Sequence, residues 1–339
     1  MTTILRKTRN YIDVCNGDAD GLCSVIQWRL HAPRDARLVT GLKRDIELLE
    51  RVTARPGDKM LVCDLSMRRN RAALTRLLDS GAKVIYFDHH HAGMVPLHDL
   101  LETHIDLAPD VCTSLLIDRH LGGQFSAWAM VGAYGDNLVQ VADDLGASIG
   151  LNVDDCRRLK TLGEAINYSS YGDSEQDAYI HPSDLYKVMI RYADPLDFLR
   201  QESLGHELDA QRQRDLLRAQ EVAPYWQDSG SRVYLLPDAP WSRRIIGSLG
   251  NMLALSHPQQ AHALLKQTAS GDMLVSVRAP LDAPYGAAYF ARLFGGDGRA
   301  ASAGIDHLNT RQLPLFIQAF SEAPWADSAS SAAWMERTH

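Results

Sequence analysis

Acidic and imidazole side chains gather in three short segments of the N-terminal part of the sequence. Residues 16–21 read NGDADG, so the carboxylates of Asp18 and Asp20 stand two positions apart. Residues 62–64 end in Asp64, and residues 88–91 read DHHH, directly after an apolar run. Carboxylates crowded into one crevice without a cation repel one another and lose hydration, which costs several kcal/mol. The three segments therefore indicate a site for divalent cations.

The types of donor favour Mn²⁺. Carboxylates combined with imidazoles suit this ion better than Zn²⁺, whose structural sites use Cys and His, or Mg²⁺, which seldom takes histidine; Mg²⁺ stays an alternative. One ion or two are expected, because two ions ~3.5–4 Å apart activate a water molecule and hold both oxygens of a phosphoryl displacement. Asp136, in the segment AYGDN at 133–137, is a candidate ligand of the second ion. Each segment taken alone is also typical of a capped turn, and only their joint occurrence favours a metal site.

The elements that must position these residues alternate between strand and helix. Short apolar runs predict strands at 11–15, 37–40, 60–63, 83–87 and 104–107. Helical spacing of apolar residues predicts helices at 22–30, 45–51 and 71–79. This alternation is typical of a parallel sheet with crossover helices, which binds ligands at the carboxyl ends of its strands. The three acidic segments all follow a predicted strand, so we expect them to meet at that edge.

The remainder of the chain predicts a helical region and a second, smaller α/β domain. Residues 111–190 are expected to be helical with a Gly-Gly turn at 122–123, and a charged, Leu-spaced helix is expected over about 195–226. Strands at 231–237, 262–267 and 273–278, a helix at 245–255 and a glycine-rich turn at Gly295 follow. The expected division is a catalytic domain at 1–190, a helical linker at 191–228, a substrate-binding domain at 229–325 and a loosely held tail at 326–339.

Composition excludes several classes of protein. The 339 residues are 45% hydrophobic and carry 35 Lys and Arg against 42 Asp and Glu, a net charge of −7, which fits a globular chain of about two domains. Five scattered cysteines form no CxxC pair, so neither a disulfide framework nor a structural zinc site is indicated. The acidic balance argues against an extended basic surface for long duplex DNA. The N-terminus lacks an apolar leader and no apolar run is long enough for a bilayer, so a cytoplasmic location without a membrane partner is expected.

The motifs together resemble those of the DHH phosphoesterase superfamily, which is named for an Asp-His-His motif. Its four motifs are matched in order by Asp18-Ala19-Asp20-Gly21, Asp64, Asp88-His89-His90 and Gly135-Asp136. Residues 294–304 (FGGDGRAASAG) are similar to the glycine-rich signature of the associated C-terminal domain, and Ser276-Val277-Arg278 resembles its Ser-x-Arg strand. The resemblance covers about residues 10–310.

The resemblance implies a Mn²⁺-dependent hydrolase of phosphodiester or phosphomonoester bonds in nucleotides. It implies that Asp18 binds one ion, that Asp20, His89 and Asp136 bind the other, and that Asp64 bridges them. His90 would contact the scissile phosphate, and Asp88 would orient a neighbouring imidazole. The C-terminal domain would bind the substrate through Arg278, Gly295, Gly296, Gly298 and Arg299, where the glycine amides are suited to a phosphate.

The sequence departs from the family pattern near the first motif. Many members carry a His four residues before the first Asp, where this chain has Val14, and RecJ exonucleases carry an Asp at the position of Asn16. Asn16 offers a neutral carbonyl oxygen, so the first ion is expected to bind weakly or to need the substrate phosphate. In the C-terminal signature, Asp297 replaces a glycine and Arg299 replaces the usual His.

Four functions remain open at this stage. The preferred hypothesis is hydrolysis of short oligonucleotides or linear dinucleotides, with 3′-phosphoadenosine 5′-phosphate as a further substrate. Cyclic dinucleotide hydrolysis and RecJ-like attack on single strands use the same chemistry. A catalytically impaired, nucleotide-binding regulatory module belongs to a different class. The expected partner is a short nucleic acid or nucleotide, and the expected state is a monomer or homodimer.

Overall fold

The computed structural model describes residues 10–268 and 271–325, so the predicted tail at 326–339 lies outside the described residues. The chain divides into two compact units, one that ends at Ala210 and one that begins at Gln211. This boundary falls inside helix α9 (Leu204–Gln220). Among the described residues, no helix combines the length and the apolar character needed to cross a membrane.

The first unit is built on a five-stranded parallel sheet. Its strands are β1 (Tyr11–Cys15), β2 (Ala36–Val39), β3 (Lys59–Cys63), β4 (Lys83–Asp88) and β5 (Leu101–Ile105). Their spatial order is β2-β1-β3-β4-β5, and every neighbouring pair is parallel. The expected α/β fold class is thereby confirmed. Because β1, β3 and β4 are adjacent, the segments that follow them emerge side by side at the carboxyl edge of the sheet.

Eight complete helices and part of a ninth accompany this sheet within the described residues. They are α1 (Ala19–His31), α2 (Arg71–Asp79), α3 (Thr113–His120), α4 (Ser126–Gly135), α5 (Val139–Ser148), α6 (Val153–Ser169), α7 (Pro182–Met189), α8 (Pro195–Gln201) and the start of α9. Two buried apolar clusters form the core, one with residues from α1, α3, α4 and α6 and the other with residues from α2. Buried apolar surface of this extent is the main stabilising term of such a layered fold.

Small residues let α4 approach α1 and α3 closely. A Cβ atom on Gly135 would lie 2.4 Å from the Cβ of Ala19, and one on Gly132 would lie 2.3 Å from Ser114 Oγ. Distances this short do not occur between real side chains, so glycine is required at both positions for this packing. The close approach brings the end of α4 next to the first turn of α1.

Some predicted elements of the first unit differ from the structure. Strand β5 begins and ends earlier than the expected 104–107, and the helix expected at 45–51 is only a 3₁₀ turn at Leu48–Arg51. The Asn70 side chain explains that turn, because its Oδ1 accepts from the Leu49 amide and its Nδ2 donates to the Ile46 carbonyl. Backbone groups that a helix would pair internally are satisfied by this side chain.

The second unit contains a six-stranded mixed sheet. The strands are β6 (Trp226–Gln227), β7 (Ser231–Leu236), β8 (Ala261–Gln267), β9 (Met273–Arg278), β10 (Asp297–Gly298) and β11 (Ser302–Leu308), in the order β10-β11-β9-β8-β7-β6. Only β7 and β8 pair in parallel among these described strands. The helices of this unit are the remainder of α9, α10 (Pro240–Ser256), α11 (Ala287–Arg292) and α12 (Leu313–Glu322).

The prediction of one continuous helix over 195–226 is wrong, because the segment contains two helices and the first residue of a strand. Helices α8 and α9 are separated at Glu202, whose backbone is extended, and Trp226 begins strand β6. The Glu202 carboxylate accepts a hydrogen bond from the Tyr192 hydroxyl at 2.6 Å and pairs with Arg191. These tertiary contacts compete with continuation of the helix, and they are invisible in apolar spacing.

Candidate active site

The first acidic segment forms the turn between β1 and α1. Asp18 is the N-cap of α1, and its Oδ1 accepts from the Gly21 amide at 3.1 Å. A Cβ atom on Gly21 would lie 2.3 Å from the Asn16 carbonyl oxygen, so glycine is required for this tight turn. The buried Asp20 carboxylate accepts from the amides of Thr113 and Ser114, both at 2.8 Å. These amides begin α3, so the helix N-terminus fixes and stabilises the carboxylate.

Asp64 and Asp136 are placed by unusual backbone conformations. Asp64 has a φ of 57°, and among the described non-glycine residues only Asn137, at 63°, shares this left-handed conformation. Asp64 still donates its amide hydrogen to the Phe87 carbonyl at 3.0 Å. Asn137 ends α4 and leaves Asp136 at its C-cap. A left-handed conformation at a non-glycine residue costs of order 1–3 kcal/mol and is concentrated at functional sites.

The imidazole of His89 lies at the centre of the acidic groups. Its Nδ1 is 2.9 Å from the Val111 carbonyl oxygen, which can only accept, so Nδ1 carries the hydrogen. The lone pair of Nε2 therefore faces the cluster. Three carboxylate oxygens surround Nε2, at 3.4 Å (Asp64 Oδ1), 3.6 Å (Asp136 Oδ2) and 3.9 Å (Asp20 Oδ2).

These donors could hold a divalent cation. The ligand atoms of Asp20, His89 and Asp136 lie within 4.8 Å of one another, and so do those of Asp64, His89 and His90. Burial, reinforced by the negative charges of Asp18 and Asp20, raises the pKa of Asp64 well above its usual range. Ionisation of Asp64 is therefore costly among these carboxyl groups, and a bound cation would offset that cost.

His90 and Asp88 form a pair beside the cluster. The His90 Nδ1 is 2.8 Å from Oδ1 of the fully buried Asp88, while the His90 side chain is 43% exposed. Burial alone would lower the pKa of His90, but the hydrogen bond and charge of Asp88 outweigh it and raise that pKa. With Nδ1 engaged, Nε2 is the atom of His90 available to a ligand. The neighbouring His91 is exposed, and its Nδ1 accepts from the Gly93 amide.

Lys43, a residue that the sequence analysis did not single out, pairs with Asp18. Lys43 Nζ lies 2.5 Å from Asp18 Oδ2 and 3.0 Å from Asn167 Oδ1. Burial acts to raise the pKa of Asp18, yet the charge and hydrogen bond of Lys43 lower it. Asn16 donates its Nδ2 to the Lys43 carbonyl, and its Oδ1 accepts from the Asp18 amide, each at 3.3 Å. Asp18 and Asn16 thus both contact Lys43, Asp18 through its side chain and Asn16 through the Lys43 carbonyl.

Lys43 could have been predicted from the sequence, because residues that follow parallel strands lie at the same edge of the sheet. The segment GLKRD follows β2, which is the neighbour of β1 in the sheet, so Lys43 belongs to the same carboxyl edge as the acidic segments. A search limited to carboxylates and imidazoles does not include a lysine. Asn167, near the end of α6, and the Val111 carbonyl carry no recognisable signal in the sequence, because tertiary packing alone brings them to the site.

In the second unit, Arg278 ends strand β9 and is held by neighbours. Its guanidinium donates to Asn251 Oδ1 at 3.1 Å and to Ser276 Oγ at 2.9 Å. A Cβ atom on Gly250 would lie 3.4 Å from this guanidinium, so α10 leaves room for it. Ser276 and Arg278 alternate along one face of the strand, as the Ser-x-Arg pattern predicts.

The glycine-rich segment forms a turn and a short antiparallel pair. The amides of Gly295, Gly296 and Gly298 donate within the segment or to α11, with acceptors Arg292 O, Ala291 O and Asp297 Oδ1. Gly296 lets the chain pass within close range of the Gly304 carbonyl, 2.2 Å from an added Cβ. Asp297 pairs with Arg292 at 3.1 Å, and the exposed Arg299 donates its amide to Ser302. Substrate binding by Arg278, Arg299 and these glycines stays a prediction.

Comparisons with known proteins define the class of fold. No protein-family model and no curated protein matches the sequence. The structure is similar to a DHH domain from a member of a family of ribosomal proteins, with a TM-score of 0.66, 13% identity and coverage of 93% of this chain and 86% of that one. It is also similar to the exonuclease RecJ bound to manganese, with a TM-score of 0.59, 19% identity and coverage of 98% and 91%.

A third similar structure is the pGpG-specific phosphodiesterase PggH from Vibrio cholerae, with a TM-score of 0.52, 15% identity and coverage of 92% of this chain and 97% of that one. At these identities the likeness concerns the fold. The chain has the fold of these DHH-domain structures, as the motifs led us to expect, and the likeness covers 92–98% of the chain.

Proposed function

We propose that this protein is a metal-dependent phosphoesterase that hydrolyses phosphodiester bonds of short oligonucleotides or linear dinucleotides. The observation that carries the proposal is the His89 Nε2 atom enclosed by the carboxylates of Asp20, Asp64 and Asp136. Its similarity in fold to a nuclease and to a dinucleotide phosphodiesterase supports the same chemistry. A RecJ structure holds manganese, which supports Mn²⁺ as the ion to test first.

The residues of the site divide the work of such a reaction. Asp20, Asp64, His89 and Asp136 would hold the cation, which when bound lowers the pKa of a water molecule and stabilises charge on the phosphate. The α3 amides and the Val111 carbonyl keep Asp20 and His89 in a fixed orientation, so little reorganisation is required when the substrate arrives.

His90 would donate a hydrogen bond to the scissile phosphate. Asp88 favours the protonated imidazole and directs its Nε2 away from the strand end. A cationic donor stabilises the negative charge that develops on phosphoryl oxygens more strongly than it stabilises the ground state. Arg278 and Arg299 of the second unit are proposed as substrate-binding residues, because arginine pairs bidentately with phosphate.

The preference for short substrates rests on charge. A chain with a net charge of −7 lacks the excess of cations that attracts a long polyanion by release of counterions. A dinucleotide or pentanucleotide needs few phosphate contacts beyond the scissile one. 3′-Phosphoadenosine 5′-phosphate is a small nucleotide phosphomonoester and is proposed as a further substrate.

The test is a substrate panel with purified protein in Mn²⁺, Mg²⁺ or excess EDTA. The substrates are a dinucleotide, a pentanucleotide, a long single strand of DNA, a cyclic dinucleotide and 3′-phosphoadenosine 5′-phosphate. We expect hydrolysis of the dinucleotide and pentanucleotide that requires Mn²⁺ and that falls with increasing strand length. A rate that climbs with strand length would favour a RecJ-like exonuclease instead. Nucleotide binding without any turnover would contradict the proposal and favour a regulatory module.

A further inference from the structure

The cation paired with Asp18 in this structure is the ammonium group of Lys43. The acidic segments left one ion or two as the expectation. We propose that the ammonium of Lys43 takes the place of a second divalent cation, so that the site binds a single ion through Asp20, Asp64, His89 and Asp136. The inference rests on the proposed function, because it presupposes that the site holds metal. It concerns how many ions are bound and which residue excludes the second.

The contacts of Lys43 are those of a bound cation. Its Nζ lies 2.5 Å from Asp18 Oδ2 and 3.0 Å from Asn167 Oδ1, and it is 5.7 Å from the centre of the Tyr171 ring. A carboxylate, an amide oxygen and an aromatic face together satisfy an ammonium group well. The side chain of Asp18 is only 4% exposed, so this ion pair is shielded from water on the Asp18 side.

The backbone of Lys43 is held as firmly as its side chain. Its amide donates to the Ser170 carbonyl at 2.9 Å, at the end of α6. Its carbonyl accepts from Asn16 Nδ2 at 3.3 Å, in the turn between β1 and α1. Two elements of the first unit therefore fix the position from which the side chain reaches Asp18. This arrangement differs from that of an exposed lysine whose side chain samples many rotamers.

The described residues around Asp18 offer few ligands for a second divalent ion. Asn16 Oδ1 accepts from the Asp18 amide, and Asp18 Oδ1 accepts from the Gly21 amide. Val14, four residues before Asp18, is fully buried in the apolar core and offers no ligand atom on its side chain. Asp18 Oδ2, Asp64 and His90 remain as candidates. The first is paired with Lys43, and the Nδ1 of His90 is paired with Asp88. A second ion would have to displace the ammonium or lie beside its positive charge, and both are unfavourable.

The experiment counts Mn²⁺ ions bound per chain. Equilibrium dialysis with metal analysis gives the stoichiometry, and electron paramagnetic resonance distinguishes an isolated Mn²⁺ from a spin-coupled pair. We expect one ion and an uncoupled spectrum for the wild type. The double variant Lys43→Ala with Asn16→Asp vacates the ammonium position and adds a carboxylate, so we expect two ions and a coupled spectrum. The matched control, Lys43→Arg with Asn16→Asp, keeps the cation and is expected to bind one.

A second pair of variants tests the inference without altering Lys43. We expect Asp18→Asn to leave the single ion bound with nearly wild-type affinity, whereas Asp136→Asn weakens it by about tenfold or more, in the range typical of altered metal surroundings. Circular dichroism establishes that each variant is folded. If the double variant fails to fold, the wild-type stoichiometry and this pair decide the question.

The possible outcomes separate the inference from the proposed function. Two coupled ions in the wild type, or loss of the bound ion in Asp18→Asn, would overturn the inference while leaving a metal-dependent phosphoesterase intact. A double variant that binds only one ion would show that Lys43 does not exclude the second. A wild-type chain that binds no Mn²⁺ would contradict the proposed function, and the inference would fall with it.

Discussion

At the scale of single residues, the site depends on how each donor atom is oriented. The Val111 carbonyl selects the tautomer of His89, and Asp88 selects that of His90. Two adjacent imidazoles therefore present different ring atoms to the site, which suits the proposed roles of His89 as a metal ligand and of His90 as a hydrogen-bond donor. The sequence DHHH is compatible with this division, but only the acceptors that fold against each ring determine it.

The first prediction concerns His90. Replacing it by Asn removes the cationic donor, and we expect kcat for dinucleotide hydrolysis to fall by about 10²-fold or more, as is typical for the loss of one such donor. Mn²⁺ affinity should stay within about threefold of the wild type, because His89 supplies the imidazole ligand. The measurement is steady-state kinetics together with metal titration. His91→Asn, a change at the exposed neighbouring imidazole, is the matched control and should retain wild-type rates.

The second prediction concerns the cost of ionising the buried Asp64. Burial and the neighbouring carboxylates raise the pKa of Asp64 well above its usual range, and Asn tolerates the left-handed backbone without this cost, so Asp64→Asn should stabilise the metal-free protein by about 1–2 kcal/mol. The same change should abolish most of the thermal stabilisation that Mn²⁺ gives the wild type by binding to the folded state. Thermal unfolding with EDTA and with Mn²⁺ measures both effects. A metal-free variant less stable than the wild type would contradict the repulsion argument.

At the scale of elements, the site requires α4 to lie against α1. The third prediction is that Gly135→Ala destabilises the first unit by about 1–3 kcal/mol, because the added Cβ would overlap that of Ala19. Hydrolysis should also fall, since displacement of α4 moves Asp136. A double-mutant cycle with Ala19→Gly, which removes the opposing Cβ, measures the coupling. If the two effects simply add, the close approach of the two helices is not what limits stability.

Elements with a strong local signal are predictable from the sequence. Strand β1 and helix α2 have the expected bounds, and β3 and β4 differ by one residue at one end. The apolar runs of these strands are buried, so pattern and structure agree. Strands β10 and β11 and helix α12 are not evident from the sequence, because their alternation is short or interrupted by small residues. The 3₁₀ turn at Leu48–Arg51 resembles a helix in its spacing, because the decisive Asn70 contact is nonlocal.

The candidate site is also only partly predictable from the sequence. The acidic segments converge because parallel strands share a carboxyl edge, a rule that applies without coordinates. The identity of the groups that hold each donor is not predictable: the α3 amides, the Val111 carbonyl and Asn167 reach the site from distant parts of the chain. Lys43 lies between these cases, since its position after β2 is visible in the sequence but its pairing with Asp18 is not.

At the scale of the whole molecule, the two units differ in how pH should affect them. In the second unit, burial lowers the pKa of His262 on β8 to about 4. The unfolded chain takes up a proton on this His near pH 6.5, whereas the folded chain does so only near pH 4. Acid therefore favours the unfolded form of this unit as pH falls through that window.

The fourth prediction concerns the loss of stability of the second unit in acid. Stability of the second unit should decline between about pH 6.5 and 4 by up to about 3 kcal/mol from this group alone. Hydrogen–deuterium exchange of peptides covering β8 measures the local effect, with peptides from β3 as the internal reference. His262→Gln should reduce the pH dependence of exchange in β8, while the response of β3 should be unchanged. An undiminished pH dependence in the variant would exclude His262 as its source.

Because β1, β3 and β4 are adjacent, the proposed metal site also depends on how these strands align in the sheet. Side chains along a strand alternate between its two faces, so a slip of β3 by one residue against its neighbours would turn Asp64 away from the other donors. A chain with misaligned strands would then lack the proposed coordination sphere. For a site that binds Mn²⁺ as proposed, metal occupancy in a freshly folded sample would report whether the central sheet has reached its native alignment, independently of any catalytic assay.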